Sequence, residues 1–428
     1  MAMCQYRIRG GTRIAGDICI AGAKNAALPV LAALCLNQSE CEIRNCPPIS
    51  DVLATIEILK AVGCDVEYTG DILKVDSRNI SNHNIPDEIV SKMRSSILFM
   101  GAMLARCGKV NIAMPGGCEL GARSIDFHLA GFTAMGAKIC MEGGKFECTA
   151  PELIGTRIKL PIASVGATQN LMLAAVCAKG ETVILNAARE PEIVSLASFL
   201  ISMGAEIDGA GTSMLVIKGV DAASLKASKP FSIMPDRIVA GTYLVATAMT
   251  GGIITLHNIV PQDLASIITP LSEMGCTITS GKNCVTLAAP ERLRALPRLI
   301  TEVHPGFPTD MQAQFIAALA TASGTSTVIE TIFESRYAHA FELNKMGADI
   351  NLSRDNRTFT INGKMALRGC EVEAHDLRGG AALILAGLVA QGETIVTGAR
   401  HIRRGYAGIE HDLAALGADI VVESGCGN

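Results

Sequence analysis

Met346-Gly347-Ala348-Asp349-Ile350-Asn351-Leu352 reads as a helix end, a turn and a strand. A glycine supplies the positive φ that closes a helix at its C′ position. The alternation after it, with Ile350 and Leu352 on one face, is the period of a half-buried strand. The phrase recurs as Val62-Gly63-Cys64, Met135-Gly136-Ala137, Met203-Gly204-Ala205, Met274-Gly275-Cys276 and Leu416-Gly417-Ala418. Successive glycines stand 68 to 73 residues apart. That period exceeds the roughly 20–50 residues of stacked solenoid repeats, so each copy is an α/β module with its own sheet.

Working outward, each unit has a matching first half. An apolar helix comes first, such as Gln169 to Ala178 or Ala381 to Ala390. A Gly turn and a β-branched strand follow, as in Gly180-Glu-Thr-Val-Ile-Leu185, and a loop and second helix lead to the repeated glycine. Units end in a hairpin whose second strand reads Leu73-Lys-Val75, Leu215-Val-Ile217 or Phe359-Thr-Ile361. The pattern is strand, helix, strand, helix and two closing strands, a βαβαββ-like unit. The sixth copy stops after one closing strand, Ile420-Val-Val422, and Tyr6-Arg-Ile8 at the other end of the chain can supply the missing one. The expected division is two three-unit domains, 24–233 and 1–23 plus 234–428, joined by two chain crossings that make a hinge and a cleft.

Composition narrows the function. Of 428 residues, 49% are hydrophobic and 18% charged, which describes a well-buried globular chain. Five Tyr, no Trp, a net charge of −4 and no basic run argue against a nucleic-acid partner. No apolar stretch has the length of a membrane span, and the first residues are not a signal peptide. Fifteen cysteines are scattered without a C-x-x-C pair and read mostly as small core residues (Cys35, Cys177, Cys276) of a reduced, cytoplasmic protein. H-E-x-x-H, Walker A and G-x-S-x-G motifs are missing, and the eight His are dispersed, so no metal site is expected.

Copies share a structural job, so chemistry belongs where they differ. The segments before the first helices read Gly22-Ala-Lys24-Asn25, Lys92-Met-Arg94-Ser95, Ser164-Val-Gly166, Pro235-Asp236-Arg237, Pro308-Thr309-Asp310 and Asp376-Leu-Arg378. All carry helix-start signals, and helix N-termini attract anions. Lys24, Arg94 and Arg378 add full positive charge there, which helix stability alone disfavours. One such cation is ordinarily solvated surface; recurrence at equivalent positions favours anion binding. The second unit inserts Pro115-Gly-Gly-Cys118-Glu-Leu-Gly-Ala-Arg123. Its thiol, beside a cation on a Gly-rich loop, is a candidate nucleophile or proton donor, although an isolated Cys is more often structural. Arg189-Glu-Pro-Glu192 and Arg403-Arg404-Gly-Tyr406 occupy matching loops and are an ion-pair network or a charged site.

Together these phrases resemble the enolpyruvyl transferase family over the whole chain. The match runs through Gly22-Ala-Lys-Asn-Ala-Ala-Leu-Pro29, Pro115-Gly-Gly-Cys118, Gly121-Ala-Arg123, Ser164-Val-Gly-Ala-Thr168, Arg189-Glu-Pro-Glu-Ile193, Pro235-Asp-Arg-Ile238, Phe307-Pro-Thr-Asp-Met-Gln-Ala-Gln314, Asp376-Leu-Arg378 and Arg404-Gly-Tyr406. The resemblance implies a two-domain inside-out α/β barrel, helices inside and sheets outside. It implies transfer of the enolpyruvyl group of phosphoenolpyruvate to the 3-hydroxyl of UDP-N-acetylglucosamine, an early step of peptidoglycan synthesis, without metal or organic cofactor. Lys24, Arg123 and Arg404 would hold phosphoenolpyruvate, Asp310 would take the sugar hydroxyl proton, and Cys118 would protonate the methylene carbon. Arg94, Arg123, Ser124, Ile125, Asp126, Phe127, Ser164, Val165, Gly166, Asp310 and Ile332 would contact the nucleotide sugar. Asn25 and Arg378 complete the substrate-binding set. The family's cysteine is the one alkylated by fosfomycin, so sensitivity is expected.

Five positions depart from the family pattern: Glu119, Ser124, Ser195, Val239 and Arg403. They leave two rival readings open, a paralogue acting on another nucleotide acceptor and a non-catalytic nucleotide-sugar binder. The sequence does not fix the oligomeric state; a monomer is consistent with it.

Overall fold

The computed structural model describes residues 4–91, 93–116 and 125–424. Cys118, Arg123 and Ser124 lie outside the described residues, as does the departure at Glu119. Six small sheets account for every strand among the described residues, five with four strands and one with three. The repeated glycines do what the sequence demands of them. Gly63, Gly136, Gly204, Gly275, Gly347 and Gly417 all have φ between 90° and 111°, each closing a helix before a strand.

The third repeat shows the common plan. Arg157–Lys159 runs parallel to Glu181–Leu185, with helix Val165–Ala175 between them in sequence. Glu181–Leu185 pairs antiparallel with Met214–Lys218, which carries Glu206–Asp208 on its far side. The fifth repeat follows the same order with Arg298–Ile300, Thr325–Ile329, Thr358–Asn362 and Asp349–Leu352. In the three-stranded sheet a single bridge, Asn84 to Asn111, stands where the parallel strand would be.

Two sheets are completed from a distance. Phe231–Ser232 supplies the parallel strand for Glu40–Arg44. Cys4–Arg9 lies between Glu393–Thr397 and Asp419–Ser424, with Tyr6 opposite both Val396 and Val422. The last repeat therefore takes its missing strand from the opposite end of the chain.

Among the described residues, 22–116 and 125–234 make one compact unit, and 4–21 with 235–424 make the other. Each has a separate apolar core. In each, the three first helices pack on one another: Lys24–Ala33, Leu98–Cys107 and Val165–Ala175 in one, Arg237–Thr250, Gln312–Leu319 and Leu377–Val389 in the other. Every residue of Gln312–Leu319 is buried, and every residue of Lys24–Ala33 except Asn25. Small residues permit the approach. A Cβ on Gly101 would lie 2.3 Å from the carbonyl oxygen of Asn170. The strands alternate buried and open positions, so each unit wraps its central helices with sheets.

A second repeat escaped the sequence reading. Asn45, Asn186 and Asn258 each follow the strand after the first helix, with φ of 53°, 56° and 53°. Their side-chain amides donate to Ile233 O (2.9 Å), Leu160 O (3.0 Å) and Ile20 O (2.7 Å), each the first residue after the parallel strand. Asn tolerates the left-handed conformation and can bond locally, so one residue makes the turn and ties the sheet. The sixth repeat has Gly398 there, with φ 72°. The fifth has Glu330.

Three expectations need correction. The helices expected from Gln169 and Ala381 begin at Val165 and Leu377, because Ser164 and Asp376 cap them with their side chains. Of the six helix starts, only those after Ser164, Asp236 and Asp376 carry a side-chain cap; Arg94–Ile97 and Thr309–Met311 are 3-10 turns ahead of the helix proper. Of thirteen described cysteines, all free thiols, only six are buried, and Cys177 is half-buried. No helix among the described residues is long and apolar enough to cross a membrane.

Candidate active site

The expected site residues fall into two clusters, one in each compact unit. In 22–234, Lys24 opens its helix and is buried. Its Nζ lies 2.7 Å from Asp51 Oδ2, and the two side chains are 11% and 5% exposed. A cation so placed is not solvated surface; it is paired with a buried carboxylate. Asn25 follows, half-buried.

Arg94, Ile125–Phe127 and Ser164–Gly166 gather around His128, which the sequence reading missed. His128 sits on helix Asp126–Ala134, one residue past Phe127. Asn170 Oδ1 accepts from Gly101 N at 2.9 Å, so its amide nitrogen is the donor to Ile97 O (2.8 Å) and to His128 Nδ1 (2.9 Å). That network assigns the His128 proton to Nε2. Burial, and then Arg94, lower its pKa to about 4, so the ring is neutral near pH 7. A Cβ on Gly166 would lie 3.4 Å from His128 Cε1, placing the first turn of Val165–Ala175 against the ring. Ser164 Oγ caps that turn by accepting from Ala167 N at 3.3 Å. Arg94 is half-buried, and desolvation lowers its pKa. Ile125, Phe127 and Val165 are half-buried against the core, while Asp126 is exposed.

The second cluster is built around Asp310. Arg336 reaches Asp310 Oδ1 through both terminal nitrogens, each at 3.1 Å, and Arg378 Nη2 reaches Oδ2 at 3.1 Å. Both arginine side chains are 3% exposed; Asp310 is 25% exposed. Burial alone would raise the carboxyl, but Arg378 and then Arg336 override it and hold Asp310 well below the usual carboxylate range. Asp376 Oδ1 caps the Arg378 helix, accepting from Arg378 N and Gly379 N at 2.9 Å.

Glu330 organises the loop beside it. Its carboxylate is buried and accepts from Thr301 Oγ1, Thr309 Oγ1 and Ile332 N, all at 2.8 Å, and from Phe333 N at 3.1 Å. Thr309 Oγ1 in turn accepts from Arg336 Nη1 at 2.8 Å. One carboxylate therefore fixes Ile332, Thr309 and, through Thr309, Arg336. Arg404 is half-buried, two residues before buried Tyr406. Of the departures, Val239 is half-buried and packs against the core. Arg403 is exposed and lies beside Cys4, Tyr6 and Glu410.

Sequence reasoning thus missed Asp51, His128, Glu330 and Arg336. Glu330 had a readable signal, since it stands where three sister repeats carry Asn.

The family model of EPSP synthase (3-phosphoshikimate 1-carboxyvinyltransferase) matches residues 8–413. UDP-N-acetylglucosamine 1-carboxyvinyltransferase 2 of Caldanaerobacter subterraneus subsp. tengcongensis is 46% identical over 419 residues, 98% of this chain and 99% of the relative. UDP-N-acetylglucosamine 1-carboxyvinyltransferase of Geobacter metallireducens is 46% identical over 96% of this chain and 98% of the relative. Among solved structures, the enolpyruvyl transferase NikO of Streptomyces tendae matches with a TM-score of 0.90 at 24% identity, covering 99% and 100% of the two chains. EPSP synthase of Acinetobacter baumannii matches with 0.74 at 18% identity, covering 98% and 100%. At those identities the structures establish the fold. The curated relatives go further: this chain belongs to the enolpyruvyl transferase family and, within it, to the UDP-N-acetylglucosamine 1-carboxyvinyltransferases.

Proposed function

We propose the following residue-level account of the reaction this family membership brings. The chain transfers the enolpyruvyl group of phosphoenolpyruvate to the 3-hydroxyl of UDP-N-acetylglucosamine and releases phosphate. Lys24, Arg123, Arg378 and Arg404 hold the phosphate and carboxylate of phosphoenolpyruvate, because two anionic groups need several cations at short range. Arg94, Ser124, Ile125, Asp126, Phe127, Ser164, Val165, Gly166 and Ile332 take the nucleotide sugar.

The supporting observation is the clamp on Asp310. A carboxylate held by two guanidiniums is a poor base. An anion arriving at Arg378 draws on the same guanidinium charge, and weakening either arginine's hold raises the basicity of Asp310. Binding of phosphoenolpyruvate thereby prepares Asp310 to take the 3-hydroxyl proton as the sugar oxygen attacks C2. Cys118 gives its thiol proton to C3, forming a tetrahedral intermediate. The Cys118 thiolate then takes a proton back from C3 and phosphate leaves with the proton held by Asp310, which restores the double bond as the enolpyruvyl ether and returns both residues to their starting state. We place the reaction in the cytoplasm, which agrees with the thirteen free thiols. A monomer suffices for this account.

The test is phosphate release from phosphoenolpyruvate, with and without UDP-N-acetylglucosamine, in the wild type and in Cys118→Ser. Release that requires this acceptor and falls sharply in the variant is expected. Release that requires another nucleotide instead would overturn the acceptor assignment, and undiminished release in Cys118→Ser would overturn the role of Cys118.

A further inference from the structure

Arg378 is 2% exposed, yet its Nε and Nη1 have no hydrogen-bond partner among the described residues. Only Nη2 is engaged, by Asp310. Buried guanidinium N–H groups are costly to leave unmade, so this free edge is suited to an anion. Asp236 is within electrostatic reach of the group, and an aromatic face lies beside it: Arg378 Cζ is 5.5 Å from the Tyr406 ring centroid.

Tyr406 is itself fixed from below. Its hydroxyl is 2.8 Å from Thr242 Oγ1, and Thr242 Oγ1 gives its own hydrogen to Ile238 O at 2.8 Å. The Tyr406 hydroxyl is therefore the donor. Gln314 Nε2 donates to the same Thr242 oxygen at 3.2 Å, so both its lone pairs are used. Thr242 and Gln314 are fully buried and Tyr406 is 2% exposed. A position that served packing alone would be cheaper to fill with apolar side chains than with three polar ones.

We propose that Tyr406 is a positioning residue for the transfer. Its ring holds the Arg378 guanidinium in place while the free edge, Nε and Nη1, takes the phosphoenolpyruvate anion beside Asp310 at Nη2. Without the ring, the guanidinium is hydrogen-bonded at Nη2 alone, and the anion must order the free edge on arrival. The cation–π contact persists whichever anion Arg378 is bonded to, which a carboxylate partner could not provide. The inference rests on the reading that Arg378 binds phosphoenolpyruvate.

The test is steady-state phosphate release with each substrate varied at saturation of the other. Arg378→Lys, which keeps the charge and loses the fork, checks the underlying reading by raising KM for phosphoenolpyruvate. Tyr406→Leu is expected to raise that KM roughly tenfold and leave KM for UDP-N-acetylglucosamine within about twofold. Tyr406→Phe retains the ring and is expected to recover most of the loss. Thr242→Val releases the tether and, like Tyr406→Phe, shifts KM for phosphoenolpyruvate by about two- to threefold. The double variant is expected to go no further than either, because both cut one bond. That pair decides the matter if Tyr406→Leu does not fold. An unchanged KM in Arg378→Lys overturns the reading and the inference with it. A raised KM in Arg378→Lys without one in Tyr406→Leu overturns the inference alone. Equal losses for both substrates, or Phe as damaging as Leu, mark a merely structural residue and also overturn it.

Discussion

Asn258 and Glu330 occupy one place in neighbouring repeats, just past the strands Ile253–His257 and Thr325–Ile329. Asn258 turns the chain through a left-handed φ and donates to the carbonyl of Ile20, one bond that closes one sheet. Glu330 keeps an ordinary backbone and accepts from four donors, tying Thr301 at the sheet to Thr309, Ile332 and Phe333 at the Asp310 cluster. Changing one amide for one carboxylate converts a donor that locks a turn into an acceptor that gathers a loop. Repetition supplies the frame; exchange of a frame residue supplies the site.

Four experiments sharpen or break that contrast. The largest effect is expected at the residue Glu330 serves. Asp310→Asn should lower kcat roughly 100- to 10,000-fold and also lower the melting temperature, because Arg336 and Arg378 lose the carboxylate they share; a loss of kcat below tenfold in the folded variant would remove Asp310 as the base. Next, Glu330→Asn makes the fifth repeat resemble its sisters. It should lower kcat/KM roughly 10- to 100-fold, by releasing Thr309 and with it Arg336. If activity survives while only stability falls, Glu330 is a frame residue after all.

The third concerns acidity and separates the clamp from the cores. His128 in one unit and His339 in the other are buried, and burial brings both to about 4. Unfolded, each titrates near 6.5, so between about pH 6.5 and 4 the unfolded chain binds more protons and stability falls as pH drops. The Asp310 clamp acts in the same sense but lower down: its depressed carboxyl contributes in full until the pH falls below the ordinary carboxylate value near ~3.9. Urea unfolding at pH 5 should therefore show uptake of up to about two protons, reduced by about one in His339→Gln. No proton uptake would mean that neither imidazole is held neutral. The smallest effect belongs to the frame: Asn258→Ala should cost about 1 kcal/mol, read as a shift in urea midpoint, with kcat and both KM values unchanged. A kinetic defect there would erase the distinction from Glu330.

The fold was legible because its signals are local and repeated. Six glycines at helix ends and six alternating strands each report on themselves, and Tyr6-Arg-Ile8 could be matched to Ile420-Val-Val422 because one copy lacked a strand. The clusters were legible only where a phrase marked them, as at Lys24, Asp310 and Arg378. Asp51, His128 and Arg336 escaped, because what sets them apart is a partner far away in sequence. Arg336 is one exposed-looking cation among many until the turn of the chain brings it 3.1 Å from Asp310. Likewise His128 is an unremarkable helix residue until Asn170, on another helix, chooses its tautomer.

Cys4–Arg9 sits in the middle of its sheet, flanked by Glu393–Thr397 and Asp419–Ser424. On the ribosome that strand emerges long before its two neighbours. At about 5–20 residues per second, the wait is of the order of 20–80 s. Residues 22–234 close their own sheets from within, Phe231–Ser232 returning to Glu40–Arg44. One half of the protein can therefore fold while the other half still holds an unpaired first strand, and that interval is when a chaperone would have something to bind.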